Sequence, residues 1–159
     1  MYKKLFLVAT LAFSTCLMNV GFAQADHQVI TKNGTNAAVQ GSESIFTGNV
    51  RIDPMFSEID DRAISGAYVT FEPQARSSWH THPKGQILIV THGQGLTQEW
   101  GKPIQVINPG DVIWCPPGIK HWHGGGYKTS MTHISLCEEE NGTNVNWLEK
   151  VTDEQYFNK

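Results

Sequence analysis

The chain has 159 residues, 40% of them hydrophobic and 17% charged, with a formal net charge of -3 at pH 7. That length supplies one domain built on one core. A mildly acidic chain with no Lys/Arg cluster excludes nucleic acid and anionic membrane surfaces as partners, and beyond the N-terminal run no stretch is long and apolar enough to span a bilayer.

Residues 1–25 begin with Lys3 and Lys4, continue through an apolar run to Phe22 and close on Ala23-Gln24-Ala25. This is the pattern of a secretory signal peptide cleaved before Asp26, so an exported protein, periplasmic or secreted, is expected, with no membrane association after cleavage. Both signal lysines leave with the segment, which takes the formal charge to about -5. Cys16 leaves too. Cys115 and Cys137 remain, and the sequence leaves open whether they pair or stay as thiols.

Residues 26–44 are polar and rich in Gly and Asn, which reads as a flexible leader or an edge strand. Residues 45–52 alternate as a strand ending at Asp53-Pro54, and a loop is expected over 55–59. Residues 66–72 alternate again before Pro73-Gln74-Ala75 turns the chain. Gln86 opens the apolar strand 87–90, His92-Gly93-Gln94-Gly95 turns it, and 96–100 returns. Residues 104–107, 112–115 and 131–136 supply three more strands between Gly/Pro-rich corners. Thr152 is placed to N-cap a helical turn through Asp153, Glu154 and Gln155. Short strands with a turn signal every eight to twelve residues or so define an all-β sandwich or barrel, here with one short C-terminal helical turn.

Six of the seven histidines fall between His80 and His133. Side chains at i and i+2 of a strand share one face about 6.6 Å apart, so the imidazoles of His80 and His82 can lean onto a single ion. A second cluster, Lys120-His121-Trp122-His123, follows the Pro116-Pro117-Gly118 corner about forty residues on. The two clusters read as the halves of one metal site. On the last strand, an inward His133 carries Ser135 and Cys137 on its own face and Thr132, Ile134 and Leu136 on the other. The outer set is the more apolar, the pattern of a strand that a second subunit or a second sheet covers, and a homodimer is expected from it. His92 sits in a glycine-flanked turn and is expected to be solvated; His27 lies in the leader and is given no role.

These clusters resemble the two cupin motifs. His80, His82, Gln86 and Gly93 match the second half of the first motif, with Gln86 where most cupins carry Glu, and the leading Gly is absent. Gly110, Pro116, Gly118 and His121 match the second motif; its closing Asn is missing, and Gly124 to Gly126 are read as filling that loop. The runs from Val50 to Pro54, Val69 to Pro73, Trp79 to Pro83, Gly118 to Gly124, Met131 to His133 and Val151 to Tyr156 resemble the small bacterial cupins that include manganese-dependent (R)-selective hydroxynitrile lyases. The resemblance spans almost all of residues 46–156.

It implies a jelly-roll β-barrel over residues 45–159, with a divalent metal held by His80, His82, Gln86 and His121. It further implies a general base at His133, with His123 beside it. Cys137, which stands where the family's lyases carry Gln, is placed with Ala67 and Val69 in the pocket wall. Three neutral imidazoles and a neutral amide would leave a divalent ion its full charge, a strong Lewis acid. Mn(II) is the first choice, though Fe(II) and Zn(II) accept the same atoms. The expected activity is cleavage of the C–C bond of small cyanohydrins, within a broader expectation of metal-dependent chemistry on small carbonyl or hydroxyl compounds. The alternatives are a metal-dependent dioxygenase or isomerase on a small oxygenated substrate, and a secreted metal- or ligand-binding protein without catalysis.

Overall fold

In the computed structural model, residues 27–56 and 63–159 are described; the segment read as a signal peptide lies outside them, as do residues 57–59 of the expected loop. Alternating strands separated by sharp corners fold into two curled antiparallel sheets. The first runs in the order β1 (Val39–Gln40), β3 (Val50–Phe56), β4 (Ile64–Phe71), β12 (Met131–Glu138), β7 (Gln86–Gly93) and β10 (Val112–Cys115). The second runs β13 (Asn146–Trp147), β6 (His80–Thr81), β11 (His121–Gly125), β5 (Arg76–Ser77) and β2 (Phe46–Thr47). Strand β8 (Gly95–Glu99) adds to this second sheet along β11, and β9 (Gln105–Ile107) along β8.

The single strand expected over residues 45–52 is broken. Gly48 adopts φ +76, a left-handed conformation that glycine enters without a steric penalty, and this corner sends β2 and β3 into different sheets. Nor does Pro54 end β3, which continues through Met55 and Phe56 into the region expected as loop. Among the described residues strand β1 covers only Arg51 and Ile52, so farther on β3 is an edge where a residue lacking an N–H is tolerated. The register also shifts between Pro54 and Phe56. Of the two readings of the leader, β1 realises the edge strand, while residues 27–38 lie exposed ahead of it.

The Gly124 region is strand rather than loop. A Cβ on Gly124 would stand 2.4 Å from the carbonyl oxygen of Ala75, and one on Gly125 2.5 Å from that of Glu72. Only glycine lets β11 cross the β4–β5 corner this closely, so the missing side chains are a packing requirement that sequence patterning reads as a turn.

Apolar side chains from the two inner faces, among them Phe46, Val50, Phe71, Val90 and Met131, form the main core. A second cluster of Trp79, Leu96, Trp122, Val151 and Tyr156 lies on the outer side of the second sheet. Burial of an aliphatic member such as Leu96 contributes about 2 kcal/mol. The C-terminal helix α1 (Asp153–Phe157) covers this cluster, and Thr152 caps it as expected. The Thr152 hydroxyl accepts from the N–H of Gln155, while the Gln155 side chain accepts from the N–H of Thr152. Buried Arg76 ties the tail down: it donates to the carbonyl of Val151 and to Asp153, and its guanidinium lies 4.7 Å over the Tyr156 ring. The second sheet is thus covered on both faces, which lets Trp79 and Trp122 point outward while their histidine neighbours point into the barrel.

Candidate metal centre

Strand pairing assembles the centre. His121 of β11 is the register partner of His80 of β6, so two imidazoles that are distant in sequence face each other with ring centroids 4.3 Å apart. His82 lies two residues along on the same face, its ring 5.1 Å from His80 and 5.6 Å from His121. One nitrogen from each of the three lies within 4.8 Å of the others, and all three residues are buried. They could hold a metal ion. Gln86 reaches the same point from β7 in the opposite sheet, its Oε1 3.1 Å from Nε2 of His121.

The hydrogen bonding shows that this donor set fits a cation. Nδ1 of His80 bonds the carbonyl of Ser78, Nδ1 of His82 that of Asn144, and Nδ1 of His121 that of Ile119. A carbonyl only accepts, so each Nδ1 carries the proton and each Nε2 presents a lone pair inward. Nε2 of His82 is buried without a partner among the described residues. Nε2 of His121 and Oε1 of Gln86 then confront each other as two acceptors, an arrangement that a positive ion between them resolves.

Beside this group stand His123 and His133, with Nδ1 of the first 3.1 Å from Nε2 of the second. Their other ring nitrogens, Nε2 of His123 and Nδ1 of His133, are buried and without hydrogen-bond partners among the described residues. The two rings share one proton across their contact, and each keeps a nitrogen free to exchange another. Phe71 packs against both, at 5.5 and 5.8 Å. The His123 ring is 5.2 Å from His80, which joins the pair to the three-histidine group.

Both groups open on a cavity of about 380 Å³. Ala67, Val69 and Cys137 line it, as does Ser135, and so do the apolar side chains of Ile52, Phe71 and Trp147. The inward parity of His133, Ser135 and Cys137 is thus the observed one. His92 is exposed, as is His27. Reasoning from sequence missed Trp147, which lies on β13 with its ring 4.9 Å from His80; it sits in a polar stretch whose pattern carries no strand signal. Cys115 and Cys137 are free thiols. Both are register partners of Gln86, one on each side of β7, so they stand two strand spacings apart, about 9 to 10 Å, beyond the reach of a disulfide.

Burial governs the protonation of the centre. Desolvation holds His133 down at about 4 and His82 also at about 4, sets His80 and His123 well below the ordinary imidazole value, and lowers His121 as well. All five are neutral at pH 7, as metal ligation and base catalysis require. In the metal-free protein this makes stability depend on pH with a definite sign. Between about pH 6.5 and 4 the unfolded chain binds protons on these rings that the folded chain refuses, so stability falls as pH falls. For His133 alone the loss approaches about 3 kcal/mol. Urea unfolding of chelator-treated protein at pH 7.5 and 4.5 should show this drop, and His133→Leu should make it smaller; equal midpoints at the two pH values would refute the assignment.

The fold and the histidine group together define a cupin with a candidate metal centre. Comparison with known proteins agrees: residues 67–135 match the cupin domain family model. The chain is 52% identical over 127 residues, 80% of its length and 97% of the relative's, to a protein of Granulicella tundricola named (R)-mandelonitrile lyase. Among solved structures it resembles a cupin-like protein of Thermotoga maritima, with a TM-score of 0.71 at 39% identity, covering 82% of this chain and 96% of that one. A cupin-2 domain of Rhodospirillum rubrum shares the fold at 15% identity, with a TM-score of 0.62, covering 84% and 86%. The chain belongs to the cupin family.

Proposed function

We propose that the protein is a metal-dependent hydroxynitrile lyase that cleaves small cyanohydrins to an aldehyde and hydrogen cyanide. The observation that carries this reading is the adjacency, in one apolar cavity, of a cation-binding donor set and a neutral buried histidine pair. The 52% identity to a protein named (R)-mandelonitrile lyase supports it. His80, His82, Gln86 and His121 would hold a divalent ion, Mn(II) by first choice. Such an ion, when bound, supplies Lewis acidity toward a hydroxyl or carbonyl oxygen.

The chain's own residues do the rest. His133, with His123 as its relay, takes the hydroxyl proton of the cyanohydrin. The electron pair of the O–H bond forms the carbonyl, the C–C bond breaks, and its electron pair leaves with cyanide. The same pair of imidazoles returns the proton to cyanide, so the enzyme ends as it began. Ile52, Val69 and Phe71 offer an apolar wall to the remainder of the substrate and displace water from it.

Mn(II)-loaded protein mixed with mandelonitrile at mildly acidic pH should release benzaldehyde above the spontaneous rate, and chelator treatment should abolish the excess. Release no faster than the blank would remove the proposal, and oxygen uptake by Fe(II)-loaded protein would redirect it to oxygenase chemistry. Export and assembly as a homodimer belong to the same reading. Exposed Ile87, Val112 and Trp114 extend the outer apolar face that Ile134 and Leu136 begin. A mature N-terminus at Asp26 and a light-scattering mass twice that of the chain would support them; a retained leader or a monomer would not.

A further inference from the structure

Gln86 is an asymmetric donor. Its amide offers an oxygen on one side and an N–H₂ on the other, and the two orientations are nearly the same in shape. In the metal-free barrel the orientation that suits a cation is the wrong one for the imidazole beside it. Nε2 of His121 is an acceptor, so rotating the amide would let Nε2–H₂ of Gln86 donate to it and end the acceptor-to-acceptor confrontation. An amide so turned would occupy a lone pair needed by the metal and present N–H groups to the cation. Something else must hold the oxygen inward.

Two side chains of β12 are placed to do so. Nε2 of Gln86 donates to the hydroxyl of Ser135 at 3.0 Å and reaches Sγ of Cys137 at 3.6 Å. Ser135 and Cys137 stand 3.6 Å apart and bond each other. Strand parity puts both on the cavity face, and Cys137 is the register partner of Gln86. Gln86 is 5% exposed, so water has little access to replace these acceptors. Both N–H groups of the amide are thus directed away from the histidines, and the oxygen toward them.

We propose that Ser135 and Cys137 are positioning residues that lock the amide of Gln86 with its oxygen toward His80, His82 and His121, and so set the affinity of the centre for a hard divalent cation. The inference rests on the reading of Gln86 as a fourth donor. The partners that orient metal ligands typically control about 10- to 100-fold in affinity. Removing one acceptor frees half of the amide and removing both frees all of it.

The test is Mn(II) binding to metal-stripped full-length protein, followed by loss of the free-ion electron paramagnetic resonance signal, with no substrate present. Ser135→Ala/Cys137→Ala should bind Mn(II) about 10- to 100-fold more weakly than the parent, while Cys137→Ser, which keeps an acceptor, should stay within about threefold. A Gln86→Glu background supplies the decisive control. A carboxylate has oxygen on both sides and no orientation to lock, so there the same double substitution should change affinity by less than about threefold. An equal loss in both backgrounds would indicate a merely structural effect and overturn the proposal, as would an unchanged affinity with Gln86 in place. Gln86→Ala separates the two layers: if it leaves Mn(II) affinity intact, the fourth-donor reading itself fails and the lock with it.

Discussion

His133→Ala will retain Mn(II) at the parental stoichiometry and lose cyanohydrin cleavage by about 10²- to 10⁴-fold, the usual span for removing a general base. The two halves of this result have separate physical origins. His133 lies on β12, opposite Val69 and Val90, and is linked to the three-histidine group through His123, whose ring lies 5.2 Å from that of His80. Its loss leaves Nε2 of His80, His82 and His121 where their carbonyl partners hold them. What disappears is the shared-proton contact with His123 and the ring nitrogen that can take a proton out of the cavity. Shortening the ring to a methyl group also opens a void against Phe71, which should cost about 2 to 4 kcal/mol of stability. His133→Gln, closer in volume, separates that cost from the catalytic one. Metal content by elemental analysis together with initial rates of benzaldehyde release would check the prediction; turnover within a few-fold of the parent would discard the role of His133.

The parts of this site legible in the sequence are those that strand geometry alone determines. His80 and His82 share a face because they are two apart, and His133, Ser135 and Cys137 do so for the same reason. The cap at Thr152 was readable because a capping box is a local arrangement with local residues. The pairing of His80 with His121 was not derivable from local pattern. It depends on register between strands forty residues apart, and the motif resemblance stood in for that geometry. Likewise the fate of the two cysteines turns on which strands flank β7: once β10 and β12 are known to lie on opposite sides of it, the disulfide is ruled out by distance. Glycine misled in both directions, passing for strand interior at Gly48, where the chain turns, and for loop at Gly124, where it is strand. At Gly48 and at Gly124 alike it marks a backbone constraint, but only the neighbouring chain shows whether that constraint is a corner or a close crossing. The lock on Gln86 was invisible for a related reason. Sequence shows that Ser135 and Cys137 face inward, and only the register of β12 on β7 shows which side chain they meet.

His121→Ala carries the other large effect, and it acts on the metal first. His121 links the two sheets within the metal centre, paired with His80 in register and facing Oε1 of Gln86 across the barrel. Deleting its ring removes one of three nitrogen donors, the one whose Nε2 stands 3.1 Å from Oε1 of Gln86. Mn(II) affinity should fall by more than about 100-fold, beyond the range of a change in a ligand's partners. Cleavage should fall with it, and excess Mn(II) should restore only part of the rate. His92→Ala, which alters an exposed histidine on β7, should change neither quantity and serves as the control for general loss of imidazole. The metal-free variant should respond in the opposite sense at low pH. One buried base fewer means one fewer group that the unfolded chain protonates in preference to the folded one, so its stability between about pH 6.5 and 4 should decline less steeply than the parent's. Chelator-competition titrations and urea unfolding measure the two effects independently. Parental Mn(II) affinity in His121→Ala would show that the imidazoles of β6 and β11 do not converge on one ion, and the reading of this barrel as a metal-dependent lyase would lose its centre.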